Sequence, residues 1–578
     1  MSDVVFITPN IRGYIADEFI GTLLLSSILK EKGISCEILP FFSIGDLTNF
    51  DEFLENAIKL IEERSPKIVS FYTRCDAYHI DIKLAQVIKA RWKDIFVVFG
   101  GPQSDIASVE TIEQLSYVDF VCCGEGETTV YPFFNSLLQG QPELSIPGLV
   151  YRENGVVKKN PRPVLIEDLD SLPLVDYSDI CYMQNESELN DRYFPIDVGR
   201  GCPFGCTYCS TKSFWGRTYR LKSPQRIFQE IKLVHEKFNI TRYAFLHDMF
   251  TLNRKSVIET CSLLRTLDFP IEWKCSARLD CIDKELIDIM TDAGMKTIFI
   301  GIETGSPRMQ KKINKNLKLD NAVELLAYLR EKDVNVLASF IYGFPEETEE
   351  DLSQTMSLIR ELLKLKKVDV QTHLCTFLAG TELTERYKSE MTFTSKYSDI
   401  TGDKAILECK DLIEAHRELF PHLLEYNTDL RTRLKYFKMF FWVWRNMRPV
   451  YQYISEKYPS DNLIEMYYDF AKANQCVLEG VEDESDAAWF KEILKRDRFV
   501  ERFSDDENYD LITDSYRLKV LEMSEDIRKG KTITDVFCFN PKERKNCARL
   551  QDYKRCIAVV SMMRREDGRL EYVVKKGL

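Results

Sequence analysis

The chain has 578 residues, 44% hydrophobic and 29% charged, a balance that excludes a largely disordered protein and leaves room for three or four domains of roughly 150 residues. Its net charge of −13 argues against a nucleic-acid partner, whose footprint would be basic. The opening MSDVVFITPN lacks the basic n-region of a signal peptide, and the apolar run Met439–Trp444 is too short to span a bilayer. A cytoplasmic protein without a transmembrane segment is expected, and its 17 cysteines should then be reduced, serving as fillers, thiols or metal ligands.

Residues 1–150 alternate apolar β-branched runs with helical patterns. Strands are predicted at Val4–Thr8, Ser35–Pro40, Ile68–Thr73, Phe96–Gly100 and Val118–Cys122. Helices fall between them at Phe19–Lys32, Phe53–Glu63 and Ile80–Lys93, the first ended by Gly33. Strict alternation predicts a parallel, doubly wound α/β sheet of Rossmann type, with ligands beyond the carboxyl ends of its strands, at Pro9, Thr73, Gly101 and Gly124. Residues 151–192, rich in Pro and Asp, read as a linker. Across 193–395 six further βα repeats, with strands starting near Phe194, Tyr243, Ile271, Thr297, Asn335 and Val368, predict a partial (β/α)6 barrel. Residues 396–578 read as a mainly helical capping or substrate domain with a strand-like coda.

One loop carries the chemistry. Gly201-Cys202-Pro203-Phe204-Gly205-Cys206-Thr207-Tyr208-Cys209 places three cysteines as C-x3-C-x2-C at the end of the first barrel strand. Three thiolates are one short of saturating a four-iron cube and leave its fourth iron open. The other reading is a zinc site or three ordinary loop cysteines, but zinc knuckles favour paired C-x2-C units and a fourth ligand close by.

The loop resembles the cluster loop of the radical S-adenosylmethionine (SAM) superfamily. The resemblance continues through Phe245-Leu246-His247-Asp248-Met249-Phe250, Lys274-Cys275-Ser276-Ala277-Arg278, Gly301-Ile302-Glu303-Thr304-Gly305-Ser306 and Ile341-Tyr342-Gly343-Phe344-Pro345-Glu346-Glu347-Thr348. It implies a [4Fe-4S] cluster on Cys202, Cys206 and Cys209, with Tyr208, Asp248, Ser276, Arg278, Glu303 and Gly343 around SAM. Carboxylates suit an ammonium and ribose hydroxyls, and an arginine suits a carboxylate. Each of these charged residues also has an ordinary ion-pair reading.

The first 150 residues resemble the cobalamin-binding domain of the B12-binding branch of that superfamily, through Phe99-Gly100-Gly101-Pro102 and Asp119-Phe120-Val121-Cys122-Cys123-Gly124-Glu125-Gly126-Glu127. This implies that Pro9, Thr73, Arg74, Gly100, Gly101, Gly124 and Glu125 serve cobalamin, the glycines by close backbone approach. The D-x-H-x-x-G run that gives cobalt a histidine in many B12 folds is absent, and His79 does not fit it. Arg74 is read as a surface or phosphate-contacting residue ahead of a position under the corrin.

The two resemblances together imply reductive cleavage of SAM to a 5′-deoxyadenosyl radical and cobalamin-dependent methyl transfer to an unactivated carbon. Radical cyclisation or rearrangement without methyl transfer is the alternative. An electron donor such as flavodoxin or ferredoxin and a small-molecule, lipid or peptide substrate are the implied partners. A methylthiotransferase would need further cluster cysteines with a matching spacing, which Cys36, Cys75, Cys122 and Cys123 lack. Cys538, Cys547 and Cys556, nine apart, could ligate an auxiliary cluster or place one thiol near substrate, but compact cluster loops are tighter and the three read first as unrelated. The segment Arg431–Arg448 (RTRLKYFKMFFWVWRNMR) reads as a helix with a buried aromatic side and solvated Lys and Arg rather than a membrane face.

Overall fold

The structure is a computed structural model and describes residues 2–9, 20–179, 193–394, 405–457, 463–480, 493, 497–506, 509–522, 533–539, 555–564 and 570–576. The chain forms two compact units. The first comprises Met1–Ile300, Ile313–Lys315 and Cys375–Asn427; the second comprises Gly301–Lys312, Asn316–Leu374 and Thr428–Leu578.

The N-terminal sheet begins with β1 (Val4–Thr8), β2 (Cys36–Pro40), β3 (Ile68–Tyr72), β4 (Phe96–Gly100) and β5 (Phe120–Cys122). They pair in parallel in the order β2-β1-β3-β4-β5. Val4, Val5, Ile7, Val69, Val97, Phe99 and Val121 are fully buried, as expected of parallel strands covered by helices on both faces. Gly33 stops the first helix in the left-handed region at φ +81°, where a side chain would be strained. The sheet does not stop at residue 150, however. Leu149–Glu153 (β6) and Val156–Lys159 (β7) form an antiparallel hairpin on β5, so the start of the expected linker is sheet edge. The alternation in LVYRE and VVKK is short and interrupted by an Asn-Gly turn, a hairpin signal masked by the prolines that follow.

The barrel strands are β8 (Phe194–Asp197), β9 (Gly199–Arg200), β10 (Arg220–Leu221), β11 (Arg242–Leu246), β12 (Glu272–Ala277), β13 (Met295–Glu303), β14 (Asn335–Tyr342) and β15 (Val368–Leu374). The main sheet runs in the order β15-β14-β13-β12-β11-β8, and β9 and β10 form a separate antiparallel pair. The boundary between the compact units falls inside β13. The helices start where their caps dictate. Ser223 caps Pro224–Phe238, with Pro at the first turn, and Asp283 caps Lys284–Asp292 through the Leu286 N–H. On β12 Trp273, Cys275 and Ala277 are buried while Lys274 and Ser276 are not. Phe299, paired with Ser276 on β13, is 37% exposed between buried Ile298 and Ile300. One face of these strands is therefore covered and the other is open.

The C-terminal region departs most from expectation. Ala405, Ile406, Cys409, Ile413, Leu419, Phe420 and Leu423 belong to the same hydrophobic core as Val69, Tyr78 and Phe99 of the N-terminal sheet. The Phe420 and Tyr78 rings lie 6.0 Å apart, and Gln103 Nε2 donates to the Leu419 carbonyl at 2.9 Å. Chain 405–423 thus covers the helix Tyr78–Arg91, and sequence alone gives no sign of a return over 300 residues away. In the second unit the helix Phe437–Asn446 buries Phe437, Phe440, Phe441 and Trp444, as read from its pattern. Basic residues of the Arg431–Arg448 segment are engaged rather than free, Arg445 with Asp369 at 3.2 Å and Arg433 with Glu349. A three-stranded antiparallel sheet of Ile533–Phe539, Arg555–Arg564 and Leu570–Lys576 closes the described chain. Among the described residues no helix is long and apolar enough to cross a membrane.

Phe420 is fully enclosed, so Phe420→Ala is expected to cost about 3–5 kcal/mol of stability. Urea unfolding followed by tryptophan fluorescence measures it; a loss near zero would show that chain 405–423 does not belong to the N-terminal core.

Candidate active site

The loop Gly201–Cys209 follows β9 and has little regular structure of its own. Its entry needs glycine: Gly201 sits at φ +83° and a Cβ there would lie 2.6 Å from the Thr218 carbonyl. Bonds from remote segments hold the rest. The Thr207 N–H donates to Ile313 O at 3.0 Å, the Leu383 N–H to Thr207 O at 2.9 Å and Asn314 Nδ2 to Gly205 O at 2.8 Å. Lys315 Nζ donates to the Tyr208 hydroxyl at 3.4 Å. Arg278 stacks over the Phe204 ring, 3.8 Å from its centroid, while its guanidinium grips Asp280 through two bonds of 2.9 Å and the Lys315 carbonyl at 2.8 Å.

Cys202, Cys206 and Cys209 are all half-buried. Burial pushes the Cys202 thiol up to about 11, with neighbouring Cys209, Asp248 and Cys206 adding to the rise. The Cys209 thiol is also raised by burial, against donors from Thr211. These thiols sense one another and a carboxylate, a negative pocket that a cationic iron cluster would satisfy. Among the described residues no three His, Cys, Asp or Glu side chains converge as a single metal ion would require. A four-iron cube needs no such convergence, because each thiolate meets a different iron. The donor set fits the cluster.

Asp248 follows β11. It is open to water, yet protein surrounds it closely enough that burial raises its pKa against a hydrogen bond from Thr211. A group on the floor of a cleft has both properties. Its neighbour His247 is buried; Nδ1 accepts the Met249 N–H at 2.6 Å, and burial lowers its pKa to about 4. Ser276 lies on the open face of β12. Tyr208, Asp248, Ser276 and Arg278 belong with the three cysteines to the first unit.

Glu303 and Gly343 belong to the second unit. Glu303 ends β13 at φ +70° with its side chain buried, a conformation that a non-glycine residue adopts only under structural constraint and that often marks functional positions. Gly305 is packing-driven, since a Cβ would meet Thr355 Cα and Gln354 O at 2.7 Å. Ser306 Oγ donates to Asp351 at 2.6 Å, and Asp351 also closes the capping box of the helix Glu349–Leu363 with Thr348. Gly343, at φ +78°, is held on both sides. Its N–H donates to Glu347 and its carbonyl accepts from Arg431. Glu347 is fully enclosed, and burial first, then Asp351, push its pKa up to about 8 against the Gly343 N–H and Arg431.

The strand ends of the N-terminal sheet gather Pro9, Thr73, Gly100, Gly101 and Gly124. Two of the three glycines answer to the protein itself. A Cβ on Gly101 (φ +93°) would meet Thr73 N and O at 2.9 Å, and one on Gly124 (φ +81°) would meet Pro163 at 2.8 Å. A Cβ on Gly100 would make only ordinary contacts, with Cys122 O at 3.8 Å and Phe71 O at 3.9 Å, and the residue is half-buried. Thr73 Oγ1 lies 2.9 Å from both Gly100 O and Ser104 Oγ. The buried Thr8 hydroxyl, at the end of β1, has no hydrogen-bond partner among the described residues. A half-buried glycine and that hydroxyl at strand ends fit an amide-rich corrin. Two expectations need correction. Both oxygens of Glu125 are taken by Arg200, Arg220 and the Ile166 N–H, so this carboxylate faces protein rather than a ligand. Arg74 is paired with Asp76 through two bonds. Cys547 lies outside the described residues, as do the side chains of Cys538 and Cys556.

Sequence reasoning missed Thr211, Asp280, Asn314 and Lys315. Asn314 and Asn316 both have positive φ, at 54° and 58°, and an Asn-Lys-Asn run does signal such a turn. Nothing in it signals a partner some 100 residues earlier.

Residues 196–359 match the family model of the radical SAM superfamily, and residues 18–132 that of the B12 binding domain. The chain is 30% identical over 330 residues to an uncharacterized methyltransferase, PH0819, of Pyrococcus horikoshii, covering 57% of this chain and 70% of that protein. It is 25% identical over 374 residues to the anaerobic magnesium-protoporphyrin IX monomethyl ester cyclase of Rubrivivax gelatinosus, covering 62% and 65%. The fold is similar to that of the cobalamin-dependent SAM radical enzyme OxsB with aqua-cobalamin bound, with TM-score 0.60, 15% identity and coverage of 95% and 84%. The chain belongs to the radical SAM superfamily, in the branch whose barrel follows a B12-binding domain. It is an enzyme whose family membership implies a [4Fe-4S] cluster, SAM, cobalamin and an external electron donor.

Glu347 gives a pH test. Its pKa lies above the ordinary 4.5, at about 8, so between those values the folded state holds a proton that the unfolded state has released, and stability falls as pH rises through the window. Glu347→Gln is expected to flatten that fall in thermal unfolding temperature. Equal slopes in the two proteins would show that Glu347 is not protonated in the fold.

Proposed function

We propose that the chain transfers a methyl group to an unactivated carbon of a small-molecule, lipid or peptide substrate by radical chemistry. When bound, the cluster supplies the electron that splits SAM to a 5′-deoxyadenosyl radical, and the corrin carries the methyl group. Cys202, Cys206 and Cys209 are the cluster ligands, on a loop whose shape Arg278, Asn314 and Lys315 maintain. Asp248 takes the SAM ammonium, which would stabilise its charged form. Tyr208 and Ser276 line the same side. Arg278, locked to Asp280 and the Lys315 carbonyl, acts on SAM through the loop it braces. Pro9, Thr73, Gly100, Gly101 and Gly124 form the floor for the corrin, with Arg74 and Glu125 behind it. Flavodoxin or ferredoxin is the electron donor of matching class.

The observation that carries this reading is the union, in one compact unit, of a three-thiol loop with a doubly wound sheet whose strand ends carry a half-buried glycine and a buried hydroxyl without a partner among the described residues. One observation favours radical cyclisation without methyl transfer, the 25% identity to a cyclase.

The test is anaerobic reconstitution with iron, sulfide and hydroxocobalamin, followed by desalting. Near one corrin per chain and reductive release of 5′-deoxyadenosine are expected, with Cys206→Ala abolishing the release. Undiminished 5′-deoxyadenosine from that variant would remove the cluster assignment, and failure to retain corrin would remove methyl transfer.

A further inference from the structure

A group of buried charges joins the two halves of the first unit. The loop Gly124–Glu127 leaves β5 of the N-terminal sheet, and Arg200 is the last residue before Gly201 of the cysteine loop. Arg200 Nη1 donates to Glu125 Oε1 at 2.6 Å, and its Nη2 lies 2.6 Å from Glu127 Oε1. Arg220 stands opposite Arg200 in the β9–β10 ladder and donates to both oxygens of Glu125, at 3.0 and 2.8 Å. The Ile166 N–H adds a bond to Glu125 at 2.7 Å, and Arg220 returns one to the Ile166 carbonyl at 2.6 Å. Trp215, at the end of the short helix after Cys209, has its ring 5.7 Å from the Arg200 guanidinium and 5.5 Å from that of Arg220. The group therefore touches the cysteine loop on both flanks and the N-terminal sheet at one strand end.

Stability does not account for it. The side chains of Glu125, Arg220, Arg200 and Glu127 are only 1%, 5%, 8% and 8% exposed, and taking four charges out of water costs about what their attraction returns. Arg220 Nε and Nη2 are buried with no hydrogen-bond partner among the described residues, a further cost. An apolar contact of the same volume would join the halves at least as well. What the ion group adds is direction, since Glu125 accepts from Nη1 of Arg200, Nη1 of Arg220 and the Ile166 N–H, donors on separate segments that together fix where its carboxylate sits, as apolar packing does not.

We propose that Glu125, Arg200 and Arg220 are positioning residues that set the distance and orientation between the corrin floor and the cluster loop. The inference rests on the reading that both groups bind to this chain. It assigns the Gly-Glu-Gly-Glu turn a role in alignment between two cofactors, distinct from contact with either.

The experiment is pulsed electron paramagnetic resonance on reconstituted full-length protein, reading the distance between reduced cluster and Co(II) corrin. Wild type should give a single narrow distribution. Glu125→Gln keeps the size of the side chain and removes the charge that both arginines share. It should broaden or shift the distribution while iron and corrin loading stay at wild-type values, with a lowered unfolding midpoint because the buried Arg200 and Arg220 lose their shared counter-charge. Arg220→Lys, which keeps the charge but shortens the reach by which Nη1 meets Glu125 and the Ile166 carbonyl, should broaden it in the same sense and serves if Glu125→Gln does not fold. A distribution superimposable on wild type in a folded, fully loaded variant would overturn the proposal. A wild-type protein that shows no corrin signal would overturn the functional reading, and this inference with it.

Discussion

Three thiols must be presented by a loop too short to fold by itself, and the chain meets that constraint with bonds from far away in sequence. Gly201–Cys209 spans nine residues without a helix or a long strand, and its backbone polar groups would otherwise be left to water. The turn Ile313–Lys315 supplies an acceptor for Thr207, a donor for Gly205 and a lysine for Tyr208. Arg278, at the end of β12, closes the arrangement by stacking on Phe204 while holding the same turn through the Lys315 carbonyl. A loop fixed in this way loses little entropy when a cluster forms on it, which is the physical content of preorganisation. The three residues Ile313–Lys315 join the first compact unit although the chain on both sides belongs to the second.

The same economy shapes the family signatures of the second unit. Gly343 is clamped from both sides of its peptide by Glu347 and Arg431, and Ser306 is tied to the helix that Thr348 caps. The family signatures on β13 and β14 thus contain one residue under strain, Glu303, surrounded by residues whose job is to hold backbone. Glu125 belongs to this second kind.

Much of this was legible in the sequence. Alternating apolar runs located β1 to β5 and the six barrel strands to within a few residues, because parallel strands buried on both faces leave continuous hydrophobic signals. The cysteine spacing singled out the loop, and the aromatic, basic segment Arg431–Arg448 buried its aromatic side as its periodicity implied. What stayed hidden was non-local. Chain 405–423 carries no mark that it returns to the N-terminal sheet, and Asn314 and Lys315 show a turn but not its partner. The packing around Gly101 and Gly124 was hidden for the same reason, since a positive φ is readable from glycine while the neighbour that fills the space, Thr73 or Pro163, is not. Charged residues are the least legible of all, because Arg278, Arg74 and Glu125 have the same composition whether they meet ligand or protein.

The central claim is that one chain both cleaves SAM reductively and moves its methyl group. The most direct measurement is the anaerobic incubation of reconstituted enzyme with SAM and a strong reductant, with and without corrin, quantifying 5′-deoxyadenosine and S-adenosylhomocysteine together. The account predicts 5′-deoxyadenosine under both conditions and S-adenosylhomocysteine only when corrin is present. Release of 5′-deoxyadenosine with no S-adenosylhomocysteine from corrin-loaded enzyme would contradict it.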